Sequence, residues 1–310
     1  MHKMTNMQKE LPMTRTMRVI AVVCVSTVMI LSGCTRTEPK QPPATGLSAE
    51  KTTVTSGLKL PESVAIDPGN GKLYVSNIVT DNEGFWVDDS NGFISLLSPE
   101  AAVEELKWLE SSPEAPIHAP KGMCIMNGRL YFTDNDKLKY CSLGEPGQVT
   151  VISPAGAKRL NDLATDGESV WASDSGTGKV FCVAMDGTMR EVKGPAGING
   201  ITCYKGKVFA VSWDLHEVYE LDPTGENEPT AFGLASHFTN LDSIELLDDG
   251  TFIVTDYVGN KICSISADRK TVTKLIEIES PADLGFDREK MLLYVPEMLA
   301  NRMTVLKLKE

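Results

Sequence analysis

The residues that most often announce chemistry are scarce in this chain of 310 residues. It has 4 histidines and 7 cysteines, and neither kind clusters. No Cys-x-x-Cys or Cys/His grouping has the spacing of a zinc site. There is no Ser-His-Asp order, nucleophile elbow or phosphate-binding glycine loop, which disfavours covalent catalysis. Basic residues are also in deficit, with 30 Lys and Arg against 42 Asp and Glu and a formal charge of −12. Such a surface repels nucleic acid and anionic lipid headgroups, and anionic ligands too unless a cation is held locally.

Long hydrophobic runs are missing as well. The apolar stretch Val19 to Leu31 is too short for a spanning helix, which needs about 20 residues. It follows Lys3, Lys9, Arg15 and Arg18 and ends in Leu31-Ser32-Gly33-Cys34, which resembles a bacterial lipoprotein signal and lipobox. The resemblance implies removal of residues 1–33, lipidation of Cys34, and an exported protein anchored to the cell envelope, touching the membrane only through its lipid. Residues 34–50, rich in Pro, Thr, Gln and Ala, read as a flexible tether, leaving 51–310 as the folded domain. Without the leader 26 basic residues face 41 acidic ones, a formal charge of −15. Cys124, Cys141, Cys182, Cys203 and Cys263 remain, an odd number spread over different strands, and read mostly as buried small hydrophobes.

What the chain does have is a repeat. RLNDLATDGESVWASD, from Arg159 to Asp174, reads as two strands joined by an Asp-Gly turn, the second ending in a carboxylate. Related units begin at Pro61, Pro120, Ile198, Leu241 and Ala282, most of them roughly 40 residues apart, the period of a four-stranded propeller blade. Six copies predict an all-β, six-bladed β-propeller. After Met303 to Leu308 the last blade lacks a strand, and Thr52 to Ser56 is the segment available to complete it.

In a propeller the first strand of each blade lines the central channel, so the residues that begin those strands converge near the axis. They read as Glu62, Lys121, Asn161, Asn199, Asp242 and Asp283. Three carboxylates, two carboxamides and one ammonium repel one another unless a cation intervenes. Carboxylate and amide oxygens suit one hard divalent cation, calcium first, with zinc or magnesium as alternatives. A polar, water-filled channel that binds nothing is the competing reading.

Glu62-Ser63, Arg159-Leu160-Asn161-Asp162, Asn199-Gly200 and Asp242-Ser243, in that order along the blades, resemble the SMP-30/gluconolactonase/LRE family. That resemblance implies a six-bladed propeller with metal-dependent lactonase activity. It implies Glu62, Asn199 and Asp242 as metal ligands and places Arg159 and Asn161 toward substrate. Ser243 departs from the family's usual glycine. Lys121 is either a partner for a substrate carboxylate or oxyanion, or a replacement for the metal's charge that marks a non-catalytic relative. NHL-type propellers, mostly binding modules, share the blade pattern.

If a first strand starts on the axial face, the loops after Asn77, Asp134, Asp174, Ser212, Asp256 and Glu297 surround the site. The longest, Ile78 to Asn91, carries Phe85 and Trp86 among acidic residues and reads as a lid, or else as a solvated excursion. It lacks EF-hand spacing. His118 and His216 lie on or near the same face and are candidate bases. The expected function is divalent-metal-dependent hydrolysis of a lactone or ester, a small lactone or sugar derivative, with Asp242 or Asp283 taking the proton, by a protein expected to be monomeric. The alternative is a propeller that binds a sugar or a protein without chemistry.

Overall fold

The computed structural model describes residues 46–80 and 84–309. The leader, Cys34 and most of the tether lie outside the described residues. Short alternating segments punctuated by Asp-Gly, Asn-Gly and Lys-Gly turns fold into antiparallel meanders, and the result is six four-stranded sheets. The molecule is a six-bladed β-propeller. Its innermost strands are Pro61–Ile66, Pro120–Met126, Leu160–Thr165, Ile198–Tyr204, Leu241–Leu246 and the short Gly285–Asp287.

Each sheet is apolar on both faces because a neighbouring blade covers each one. The core is accordingly divided into wedges between blades. Phe209, Val211 and Val218 of the fourth blade pack on Ile244, Phe252 and Val254 of the fifth. Val64 and Val75 of the first blade meet Tyr294, Met303 and Val305 of the sixth. All five described cysteines are free, and all but Cys203 are fully buried in or beside these wedges.

The sixth sheet runs from Gly285–Asp287 through Leu292–Glu297 and Arg302–Lys309 to Ser48–Ser56. Pairing with Arg302–Lys309 begins at Ser48↔Lys309 and ends at Ser56↔Arg302. Ser48 to Glu50, assigned to the tether on composition, are therefore strand. Leu47 and Ala49 supply the reason, since both pack against the wedge between the fifth and sixth blades.

A bulge near the start of each innermost strand positions the axial residues. In the first blade Pro61 pairs with Asn77 and Val64 with Val75, a slip of one residue across Glu62 and Ser63. The slip recurs after Pro120, Leu160, Ile198 and Leu241. In the sixth blade the bridge Pro281↔Glu297 and the pair Gly285↔Tyr294 show the same offset. A bulge re-aims side chains and frees a backbone N–H. Hydroxyls on the second strands take up that donor: Ser76 accepts from Ser63, Ser173 from Asp162 and Thr255 from Ser243, at 2.8–2.9 Å.

The carboxylates that end the second strands do structural work. Asp134 accepts the N–H groups of His118 and Ala119, Asp174 those of Lys158 and Arg159, and Asp256 those of Thr239 and Asn240. Each ties the incoming connection to its blade, and none of them lines the axial cavity.

Candidate functional site

Two consecutive residues per bulge give the axis two layers. The upper one is Glu62, Lys121, Asn161, Asn199, Asp242 and, by register, Ala282. The lower one is Ser63, Gly122, Asp162, Gly200, Ser243 and Asp283. All these polar side chains are buried. The glycines follow from crowding. A Cβ on Gly200 would overlap Asp242 O and lie 2.7 Å from Ser243 Cα, and one on Gly122 would overlap Asp162 Cα.

This register corrects the reading of Asp283 as an upper-layer residue. Pro281 occupies the place of Pro61, so Ala282 matches Glu62 and Asp283 matches Ser63. Asp283 accepts hydrogen bonds from Ser63 Oγ at 2.6 Å and Ser243 Oγ at 2.8 Å, and its backbone N–H donates to Glu62 O at 2.9 Å. Asp162 beside it accepts from the N–H groups of Ile201 at 2.7 Å and Leu163 at 2.6 Å, and hydrogen-bonds Asp283. Burial raises the pKa of both carboxyls above the ordinary range. The lower layer is thus a hydrogen-bonded floor, and Asp283 does not line the cavity above it.

That cavity, of about 350 Å³, is lined at its base by Glu62, Lys121, Asn161, Asn199 and Asp242. Its walls come from the loops that follow the second strands: Ile78, Phe85 and Trp86, then Ser175, Trp213 and Asp214, Tyr257 and Met298. Antiparallel geometry places those loops on this face, as expected. Phe85 and Trp86, from the loop after Asn77, turn inward. Trp86 lies over Lys121, with Nζ 3.9 Å from the ring centroid, and the Arg159 guanidinium is 5.7 Å from the same ring. Asn135 Nδ2 donates to Asp88 Oδ1 at 2.5 Å, and Ser90 N donates to His118 Nδ1 at 3.1 Å. His118 therefore anchors the loop, and neither it nor His216 lines the cavity.

The Lys121 ammonium donates to Phe85 O at 2.5 Å and Ala119 O at 2.9 Å. Burial pulls its pKa down to about 8, against the opposing fields of Glu62 and Asp134. Burial first, then the charges of Asp242 and Asp283, hold Glu62 well above the usual carboxylate range. Burial and Asp283 do the same to Asp242. The Tyr257 phenol is pushed up by burial and by the neighbouring Asp242 and Glu62.

Three buried oxygens at this base have no hydrogen-bond partner: Glu62 Oε2, Asn161 Oδ1 and Asp242 Oδ1. The orientation of Asn161 follows from its other end, where Nδ2 donates to Ser175 Oγ at 3.2 Å and leaves the carbonyl oxygen free. Unsatisfied buried acceptors are costly, and carboxylate and carbonyl oxygens are the donor set of a hard divalent cation. The residues fit such an ion. Asn161, which the family resemblance placed toward substrate, shares this property with Glu62 and Asp242, while Asn199 lines the same base. No group of three or more His, Cys, Asp and Glu suited to a metal occurs among the described residues, so a site here depends on amide oxygen.

No protein-family model matches the sequence, and no curated protein matches it significantly. Solved structures do. A gluconolactonase-family protein superposes with a TM-score of 0.62 at 18% identity, over 86% of this chain and 93% of the other. Virginiamycin B lyase from Staphylococcus aureus gives 0.59 at 14% identity, over 84% and 99%. A Bacteroides thetaiotaomicron protein of unknown function gives 0.63 at 12%, over 85% and 76%. The shared property is the fold. At these identities the likeness carries a six-bladed propeller and no residue roles.

Sequence reasoning did not find the apolar wall. Trp213, Tyr257 and Met298 each directly follow the last residue of a second strand. That shared position was the available signal.

Proposed function

We propose that the axial cavity binds one divalent cation, calcium before magnesium or zinc, and hydrolyses a lactone or ester. The observation that carries this reading is the set of three partnerless buried oxygens on Glu62, Asn161 and Asp242 at the base of a largely apolar cavity. Asn199, on the same base, completes the proposed ligand set. A cation held there supplies a Lewis acid to the carbonyl oxygen.

The protein's residues do the rest. Trp86, Trp213, Tyr257 and Met298 keep bulk water from the reacting centre. Arg159, exposed at the rim, offers its guanidinium to an anionic or carbonyl group of the substrate. As water adds to the carbonyl carbon, one of its protons passes to the Asp242 carboxylate. When the ring C–O bond breaks, the departing oxygen takes that proton back and a hydroxy acid leaves. Asp242 must be ionised to take that proton, and a cation held at the base would favour that form. Lys121 holds the loop over the cavity and offsets part of the acidic charge. The lipobox-like Leu31 to Cys34 segment supports, as part of the same proposal, a site of action at the cell envelope.

The test is a hydrolysis screen over lactones and aryl esters, with chelator or with calcium, magnesium or zinc. Cation-dependent turnover is the expected result. No turnover under any condition would refute the hydrolase and favour a propeller that binds without chemistry.

A further inference from the structure

Nine large hydrophobic side chains are markedly exposed among the described residues, and four of them share one place in the fold. Phe85 (36% exposed), Leu215 (43%), Val258 (49%) and Leu299 (55%) lie in the loops that follow the second strands of blades one, four, five and six. Phe85 lines the cavity, and the other three each come one residue after a lining residue, Asp214, Tyr257 and Met298. The mouth is therefore lopsided. Over blades one, four, five and six the wall is mainly apolar, Asp214 apart, and exposed apolar residues adjoin it in sequence, whereas blades two and three contribute Lys121 and Arg159.

Several polar groups of the wall are committed already, while Arg159 and Asp214 stay open. Lys121 Nζ is taken by Phe85 O and Ala119 O, and Ser175 Oγ donates to Ile198 O at 2.6 Å while accepting from Asn161. Asn161 Oδ1, Glu62 and Asp242 face the proposed cation. A polyhydroxylated ring needs a donor or acceptor for each hydroxyl it buries, and on the side of Tyr257 and Met298, where the Tyr257 hydroxyl already meets Met298 Sδ, the wall has few to spare. An alkyl or aryl substituent needs only area, which Trp213, Tyr257 and Met298 provide and the rim extends.

We propose that the ligand of the axial site is an apolar-substituted lactone or ester, whose carbonyl end lies at the Glu62, Asn161 and Asp242 base and whose alkyl or aryl substituent runs out past Tyr257 and Met298 to the rim formed by Leu215, Val258 and Leu299. The hydrolysed bond rests on the function proposed above; the ligand class rests on the walls and rim.

Two measurements separate the two claims. Quenching of intrinsic tryptophan fluorescence by non-hydrolysable δ-lactams bearing no alkyl chain, a four-carbon chain or an eight-carbon chain, and by gluconolactam, reads binding alone. Hydrolysis of the matching lactones reads chemistry. Affinity should rise with chain length, by up to about fourfold per methylene that becomes buried, and gluconolactam should bind worst. The exposed-residue variant Leu215→Ser/Val258→Ser/Leu299→Ser should weaken the eight-carbon lactam at least tenfold and leave the unsubstituted one unchanged. Chain-dependent binding without hydrolysis would sink the hydrolase and leave the ligand class standing. Preference for gluconolactam, affinity independent of chain length, no binding by any lactam, or a triple variant that binds all four as before would overturn the ligand class.

Discussion

The response of stability to cation and pH follows directly from the buried carboxyls at the axis. Burial and mutual repulsion raise the pKa of Glu62 and Asp242 well above the carboxylate range in the fold. Such a group keeps its proton in the folded chain at pH values where the unfolded chain has lost it. Its contribution is complete below the unfolded value of about 4 and is lost as pH climbs toward the folded value, at up to about 1.4 kcal/mol per pH unit for each group. Chelator-treated protein should therefore melt at a lower temperature at pH 7 than at pH 5. Asp162 and Asp283 act in the same direction. Glu245, pushed up to about 7 by burial against the pull of Arg288, lies away from the cavity and cancels in a comparison with and without cation. A divalent cation requires the ionised forms, so its binding releases up to two protons and tightens as pH rises. At a hundredfold excess over Kd it adds about 2.7 kcal/mol, which for a propeller of this size is roughly 5 to 10 °C in Tm. Scanning calorimetry at pH 5, 6 and 7, with calcium and with chelator, provides the assay. Melting temperatures that coincide with and without calcium at every pH would refute the cation site, and a chelated protein that gains stability from pH 5 to 7 would refute the raised carboxyls.

Asp242→Asn keeps an oxygen ligand but cannot accept a proton, so calcium should still raise Tm while turnover falls by about 100-fold or more. Asp283→Asn, altering a residue of the floor, should lower Tm and leave turnover within a few-fold; a dead Asp283→Asn beside an active Asp242→Asn would reverse the assignment of the base. Trp86→Ala removes the ring over Lys121, a cation–π contact of about 1 to 2 kcal/mol in a desolvated setting, and should raise KM more than it lowers kcat. Gly200→Ala forces a Cβ against the fifth blade's backbone and should cost about 3 kcal/mol or more in denaturant melts, with no rescue by calcium.

The blade count was legible in the chain because it is written in local signals. Alternation in runs such as Lys207 to Ser212, and turns at Asp166-Gly167 and Asn127-Gly128, each span a few residues and recur at a fixed period. The convergence of Glu62, Lys121, Asn161, Asn199 and Asp242 followed from that repeat, since equivalent positions in a ring face the same axis. The sixth blade shows where local reading stops. Pro281-Ala282-Asp283 offers one polar residue, and chemistry alone puts it beside Asp242. The pairing of Pro281 with Glu297 moves it one layer down, and a slip of one residue in a bulge is set by the partner strand, which the local sequence does not contain. The same holds for Ser48 to Glu50, polar enough to read as tether until Arg302–Lys309 pairs with them. The two-layer axis, the free oxygen of Asn161 and the apolar wall of Trp213, Tyr257 and Met298 belong to the tertiary structure. Each depends on which residues from blades scores of positions apart come within hydrogen-bonding or van der Waals reach, and that is decided only when the ring of sheets is packed together.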